Sequence, residues 1–329
     1  MATLNDIAQK MGIAKSTVSK ALNGADDVSE ATRRAVLETA VEMGYSRRRG
    51  SQPKLAVFIT NMDYQNPQDF GYDILIGFRK MAEPAGFQVD VIPLDYDMAS
   101  ATPYDEYMLR ENYRGALFLG LALNHPWISQ DFARCKTPTV LYDNRISGNP
   151  NVTYVGTDNQ EGMSLAVWYL KELGHRKIGY LSSAMGAYIY QQRYLGYCQA
   201  MKRAKLTCRE DMSGIAYESE EILGYHLPRL IREEGCTAII CSHDLLAIAA
   251  MERLEAMGIR VPEDISILGF DDIPLCRQVS PTLTTIRQNR TEIGKSAYCA
   301  LSSQMEHVPL STFLLHTELV KRGSCGPKK

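Results

Sequence analysis

Lys15, Ser16, Ser19 and Lys20 are the first residues of this chain whose types and spacing point to chemistry, because at i, i+1, i+4 and i+5 they share one face of any helix that contains them. Two ammonium groups and two hydroxyls so grouped suit hydrogen bonding to base edges and pairing with phosphates. Lys15 and Ser16, near the helix start, are placed for bases. Ser19 and Lys20 sit one turn on, where Lys20 reaches a guanine or a phosphate. The run Arg47, Arg48, Arg49 that follows suits phosphates or a narrow minor groove. The rest of the chain offers no catalytic set: GxGxxG, GxxxxGK(S/T), GxSxG and HExxH are all absent, and the six histidines are scattered. The eight cysteines have irregular spacings without a CxxC pair, so reduced, mostly buried thiols are expected. No enzyme activity, metal or cofactor is expected.

The basic face needs a scaffold, and the flanking residues supply one. Thr3 and Asp6 form a Thr-x-x-Asp start that satisfies free amides at a helix N-terminus. Leu4, Ile7, Ala8 and Met11 then make one apolar stripe, and Gly12 ends the helix. A second helix follows from Lys15 to Leu22, with Val18, Ala21 and Leu22 inward and Asn23-Gly24 closing it. The third begins at Ser29, carries Glu30 in its first turn, and turns Val36, Leu37, Ala40 and Val41 inward until Gly44. Two helices joined by a tight glycine turn, the second exposing short polar and basic groups, make the arrangement that lays a helix in the major groove.

Charge divides the same way. Up to Lys54 there are nine Lys/Arg against six Asp/Glu, or +3; the remaining 27 basic and 32 acidic residues give −5. A basic head on an acidic body implies that the head alone meets a polyanion. No apolar run approaches the roughly 18 residues that span a bilayer, and the start MATLNDIAQK has neither the charge nor the apolar stretch of a secretory leader, so a cytoplasmic protein is expected.

Beyond Lys54, short apolar runs alternate with amphipathic stretches. Strands are predicted at 55–59, 87–92, 116–119, 139–142, 178–181, 238–241 and 265–269, and helices at 72–85, 159–173, 191–204 and 245–257. Such alternation means parallel sheets covered by helices, and the stretch is too long for one sheet. Two Rossmann-like lobes with a ligand cleft at the carboxyl ends of their strands are therefore expected.

The run TLNDIAQKMGIAKSTVSKALNG, continued by VSEATRRAVLETAVEMGY, resembles the headpiece of the lactose-repressor/galactose-repressor (LacI/GalR) family at nearly every position from Thr3 to Tyr45. Later segments follow in family order: LGHRKIGYL, RYLGY, VPEDISILGFDDIP, PTLTTIRQ and ELVKRGSC. The resemblance implies an α/β protein with an N-terminal three-helix helix-turn-helix headpiece and a two-lobed periplasmic-binding-protein core. It implies base reading by Lys15, Ser16 and Lys20, phosphate contacts from Thr17 and Ser19, and DNA contacts from Thr3 and Asn23. Ala14 stands where the family usually has a capping serine, which weakens the start of the second helix.

Residues 1–45 are then the DNA-binding headpiece, 46–54 an Arg-rich linker, and 55–325 an effector-binding and dimerisation core. That core has an N-lobe of about 55–156 and 285–307 and a C-lobe of about 157–283 and 308–325. Tyr45 reaches Leu55 in ten steps, shorter than the family pattern, and the Ala-Arg-x-Leu portion of the minor-groove hinge helix is absent. The effector contacts implied are Arg193, donating a fork of hydrogen bonds, and Asp271, accepting from hydroxyls, with Asp143, Phe70 and His243 as further pocket positions. Trp127 and Tyr217 are weaker candidates. A homodimeric, cytoplasmic repressor on double-stranded operator DNA, controlled by a small sugar-like effector, is the expected function. A sugar-binding protein without a DNA role is the alternative.

Overall fold

The computed structural model describes residues 2–45, 52–94, 96–122, 124–142, 144–183 and 186–328. The chain divides into two compact units, one of 1–155 and 291–313, the other of 156–290 and 314–329.

The first unit opens with helices α1 (Leu4–Met11), α2 (Lys15–Leu22) and α3 (Glu30–Glu42). Thr3 and Asp6 form a reciprocal capping box, Gly12 closes α1 in the left-handed region at φ 66°, and the Ser29 hydroxyl accepts from the Thr32 amide to start α3. Ala14 leaves α2 without a side-chain cap. Ile7, Ala8, Val18, Ala21, Leu22, Val36, Leu37 and Ala40 are buried together, and Lys10 Nζ donates to Glu42 Oε2 at 2.8 Å, tying α1 to α3.

The elements that follow in this unit are β1 (Lys54–Ile59), α4 (Phe70–Ala82), β2 (Gln88–Pro93), α5 (Tyr96–Ala101), α6 (Tyr104–Arg110), β3 (Tyr113–Leu119), β4 (Thr139–Leu141) and β5 (Val152–Thr157). The second unit supplies α7 (Asn159–Glu172), β6 (Ile178–Ser183), α8 (Tyr188–Arg203), β7 (Ser213–Ala216), α9 (Ser219–Glu221), α10 (Leu227–Arg232), β8 (Ala238–Cys241), α11 (Asp244–Ala256), β9 (Ser266–Asp271) and β10 (Thr284–Arg287). The chain ends through α12 (Arg290–Met305), β11 (Thr312–Leu315) and β12 (Glu318–Val320).

One sheet has the order β11-β5-β4-β3-β1-β2 and the other β12-β10-β9-β8-β6-β7. The β1, β2, β3, β4 and β5 ladders are parallel, as are those linking β6 to β7, β8, β9 and β10; β12 joins β10 antiparallel. Buried runs such as Leu55–Ile59 and Ala238–Cys241 are what a sheet covered on both faces requires. The passages between units fall at 155/156, 290/291 and 313/314. The second lies beyond the expected 283–285 because Thr284–Arg287 is itself a strand of the second sheet. The third lies beyond 307–308 because Thr153 donates to the Leu310 carbonyl and holds that stretch in the first unit.

Helices α4 and α12 approach so closely that a Cβ on Gly77 would overlap the Thr291 carbonyl oxygen, and one on Gly294 the Ile74 carbonyl. Gly77→Ala is therefore expected to lower stability by about 1–3 kcal/mol, since backbone and not a mobile side chain must yield. A shift of the urea midpoint with unchanged slope is the measurement.

Candidate DNA-reading helix and ligand site

On α2, Lys15, Ser16 and Lys20 are exposed and Thr17 and Ser19 half-exposed, while Val18, Ala21 and Leu22 hold the opposite face in the core. The head thus presents together the side chains that the sequence grouped. Lys20 is ion-paired with Asp27 across the surface, and an exposed pair of this kind exchanges readily for another anion. Exposed Asn23 donates to the Ser19 hydroxyl at 3.5 Å. The Thr3 hydroxyl donates to the Asp6 carboxylate at 2.8 Å, and the Thr3 backbone amide, which also donates there, holds that carboxyl below its ordinary value. Arg47, Arg48 and Arg49 lie outside the described residues.

In the second unit, Arg193 on α8 is only 2 % exposed. Its Nε donates to Asn159 Oδ1 at 2.9 Å, one terminal nitrogen to the Ser242 carbonyl, and the other to Asp271 Oδ1 at 3.1 Å, with the guanidinium 3.8 Å from the Phe270 ring centroid. Asp271 Oδ1 also accepts from Gln288 Nε2 at 2.7 Å, and Gln288 Oε1 accepts from the Thr157 hydroxyl at 2.6 Å. Every residue of this network follows from topology. Ser242 and His243 leave the carboxyl end of β8, Asp271 ends β9, Gln288 follows β10, and Asn159 begins α7. Carboxyl ends of parallel strands are where open α/β sheets hold ligands.

The backbone at Asp271 has φ 118°, and the following Asp272 has φ 54°. Such conformations cost an L-residue of order 1–3 kcal/mol each and collect at functional sites. Asp272 itself is buried, accepting from Arg287 Nε at 2.7 Å and from Arg322.

His243 is half-buried, its Nδ1 3.0 Å from the Ser242 hydroxyl and its ring 5.9 Å from that of Tyr190. Burial, aided by the Arg193 charge and opposed by Asp271, holds its pKa below the usual histidine value, so the ring is neutral at pH 7. Asp244 lies fully buried beneath it, accepting from the Thr285 hydroxyl, the Cys276 thiol and the Ile273 amide. Burial and the nearby Asp271 push its carboxyl up to about 7.

Of the ligand residues expected from the sequence, Arg193, Asp271 and His243 meet in this unit. Phe70, half-buried, belongs to the first unit, where it stacks 6.2 Å from Tyr142. Asp143 lies outside the described residues. Trp127 is no pocket residue: it is wholly buried against Phe58 and Tyr104, with its indole N–H donating to the Thr102 carbonyl. Tyr217 is 85 % exposed. Sequence reasoning missed Asn159, Gln288 and Tyr190. Gln288 closes the PTLTTIRQ segment, so its position was in view, but not its carboxylate partner.

Among the described residues no cluster of three or more His, Cys, Asp or Glu could hold a metal, and no helix is long and apolar enough to cross a membrane.

Residues 3–48 match the family described as bacterial regulatory proteins, lacI family, and residues 167–325 match a periplasmic binding protein-like domain. The chain is 30% identical to the HTH-type transcriptional repressor CytR of Escherichia coli (strain K12), covering 98% of this chain and 96% of the relative. It is 28% identical to the repressor PurR of Aliivibrio salmonicida (strain LFI1238), covering 98% and 99%. Among solved structures, a complex of the transcriptional regulator CelR with cellobiose superposes with a TM-score of 0.71 at 26% identity, over 98% of this chain and 100% of that one. The lac repressor dimer bound to operator and the anti-inducer ONPF shares the fold, with a TM-score of 0.66 at 23% identity over 98% of each chain.

Proposed function

This chain belongs to the lacI family of bacterial regulatory proteins and is a DNA-binding transcription regulator; from that premise we propose that α2 reads operator DNA while a small sugar-like effector beside Arg193 and Asp271 sets the strength of binding. We assign 1–45 to the DNA-binding head, 46–54 to an Arg-rich linker, and 55–325 to effector binding and dimerisation.

The network that joins Arg193, Asp271 and Gln288 carries the effector half of this reading. A polyol needs charged acceptors and donors already fixed in place, because each hydroxyl it loses from water must be matched. Asp271 offers a carboxylate whose geometry Arg193 and Gln288 hold from within the protein. Cellobiose, the ligand of the CelR relative, is a molecule of this kind. Neutral His243, with Tyr190 against its ring, adds a flat face in the same unit.

The DNA half rests on α2. Lys15 and Ser16 read bases, Lys20 releases Asp27 for a guanine or a phosphate, Thr17 and Ser19 touch phosphates, and Thr3, Asn23 and Arg47 to Arg49 add contacts around them. Without the Ala-Arg-x-Leu segment, the Arg-rich linker lacks the apolar side chain that would wedge apart a base step. A cytoplasmic homodimer is the working assembly, since two-fold symmetry lets paired heads meet a palindromic site.

Selection of preferred duplexes from a random pool, followed by titration with and without a panel of mono- and disaccharides, tests both halves. Lys15→Ala is expected to weaken the preferred site by about 1–3 kcal/mol, or roughly fivefold to 150-fold, with little change on random duplex. Absence of any preferred duplex at moderate salt would sink the reading.

A further inference from the structure

The C-terminal end of α8 carries a feature that neither DNA reading nor effector binding uses. After Arg203 the chain reverses tightly: the Lys205 and Leu206 amides donate to the Lys202 and Met201 carbonyls at 3.0 and 2.9 Å, and Lys205 adopts φ 57°. That reversal returns Cys208 alongside Cys198, and the two thiols are hydrogen-bonded to each other. Both are free, half-buried, packed on the same apolar cluster, and part of one surface hollow that Lys202 and Arg209 also line.

Of the eight cysteines, this pair has the environment of reactive sulfur. Burial pushes the thiols of Cys135, Cys236 and Cys325 up to about 12 and those of Cys241 and Cys276 higher still, which keeps them protonated and inert. Cys198 goes the other way. The Cys208 thiol donates to it, the Tyr194 hydroxyl one turn back donates as well, and its pKa falls to about 7, while Cys208, as the donor, is raised. A sulfur that is partly thiolate, reachable from solvent and touching a second thiol is the arrangement of a redox-responsive pair.

We propose that Cys198 and Cys208 form a peroxide-sensitive dithiol site, with Cys198 as the attacking sulfur and Cys208 as the resolving one. The Cys198 thiolate attacks one oxygen of hydrogen peroxide; an S–O bond forms, the O–O bond breaks, and hydroxide leaves, taking a proton to become water. The Cys208 sulfur then attacks the Cys198 sulfenic acid; the S–S bond forms, the S–O bond breaks, and the departing hydroxide takes the Cys208 proton as a second water. The two sulfurs lose two electrons and the peroxide gains them. The resulting bond pins the last turns of the helix that carries Arg193 to the loop behind it.

The test uses the full-length reduced protein at pH 7. Alkylation with limiting iodoacetamide, mapped by peptide mass spectrometry, should modify Cys198 about tenfold faster than exposed Cys299. One equivalent of hydrogen peroxide should yield a peptide linking Cys198 to Cys208. Cys208→Ser should instead leave a dimedone-trappable sulfenic acid at Cys198, and Cys198→Ser should give neither product. Equal alkylation of Cys198 and Cys299, a peroxide product on another cysteine, or no linked peptide overturns the proposal. The wild-type measurements decide alone if a serine variant fails a melting control.

Discussion

Lysine in place of Arg193 is expected to weaken effector binding by about 100-fold, the effect of losing two charge-assisted hydrogen bonds of roughly 1.5 kcal/mol each, while operator affinity without effector stays unchanged. The guanidinium reaches Asn159, the Ser242 carbonyl and Asp271 at once, in one plane, against the Phe270 ring. A lysine keeps the charge but cannot span those three acceptors, so Asp271 loses the partner that fixes its carboxylate. Calorimetric titration with whichever sugar of a mono- and disaccharide panel raises the melting temperature of the wild type measures the loss. Unchanged sugar affinity in the variant would remove Arg193 from the ligand site.

Asp272→Ala is expected to cost about 3–5 kcal/mol of stability, the range for breaking a buried ion pair and leaving its partner charge uncompensated. Its carboxylate binds Arg287 and Arg322 together, the latter nearly buried and also donating to the Leu283 carbonyl. Burial alone would raise the Asp272 pKa, but the hydrogen bonds and charges of the two arginines outweigh it and hold the group below its ordinary value. The sign follows. This stabilisation is fully present above the unfolded value of about 4 and is lost as pH falls through the lower folded one. Urea midpoints measured from pH 7 to pH 3 should therefore converge between wild type and variant at the acid end. Parallel curves would show that the arginines have other partners.

How much of this was legible in the sequence depended on how local the cause was. Thr3 with Asp6, Gly12 and Ser29 act on amides within one turn of themselves, so all three head helices were readable to within a residue or two. Uninterrupted apolar strands such as Ala238–Cys241 were equally plain. Strands β5, β7 and β10 were not predicted, because Thr153, Thr157, Ser213, Thr284 and Thr285 interrupt their apolar runs. In the fold those side chains find partners, as Thr157 does in Gln288 and Thr285 in Asp244. Arg193 and Asp271, 78 residues apart, were picked out through resemblance to a family, whereas Asn159 and Gln288, though the latter closes a family segment, gave no sign of their partners: a neutral amide shows its use only once a charge is set beside it. Trp127, a weaker candidate from a loose match to the family, packs instead among Phe58 and Tyr104 in the core, neighbours that no local spacing reveals.

The left-handed turn of the chain at Asp271 has an evolutionary implication. Glycine would relieve the roughly 1–3 kcal/mol of backbone strain there, but it would also strand the buried Arg193 charge at about 3–5 kcal/mol, so a search for hardier variants that scored only resistance to heat would keep the aspartate. Tension in the main chain at this point is thus held in place by the charge beside it, and neither can be changed alone without a loss.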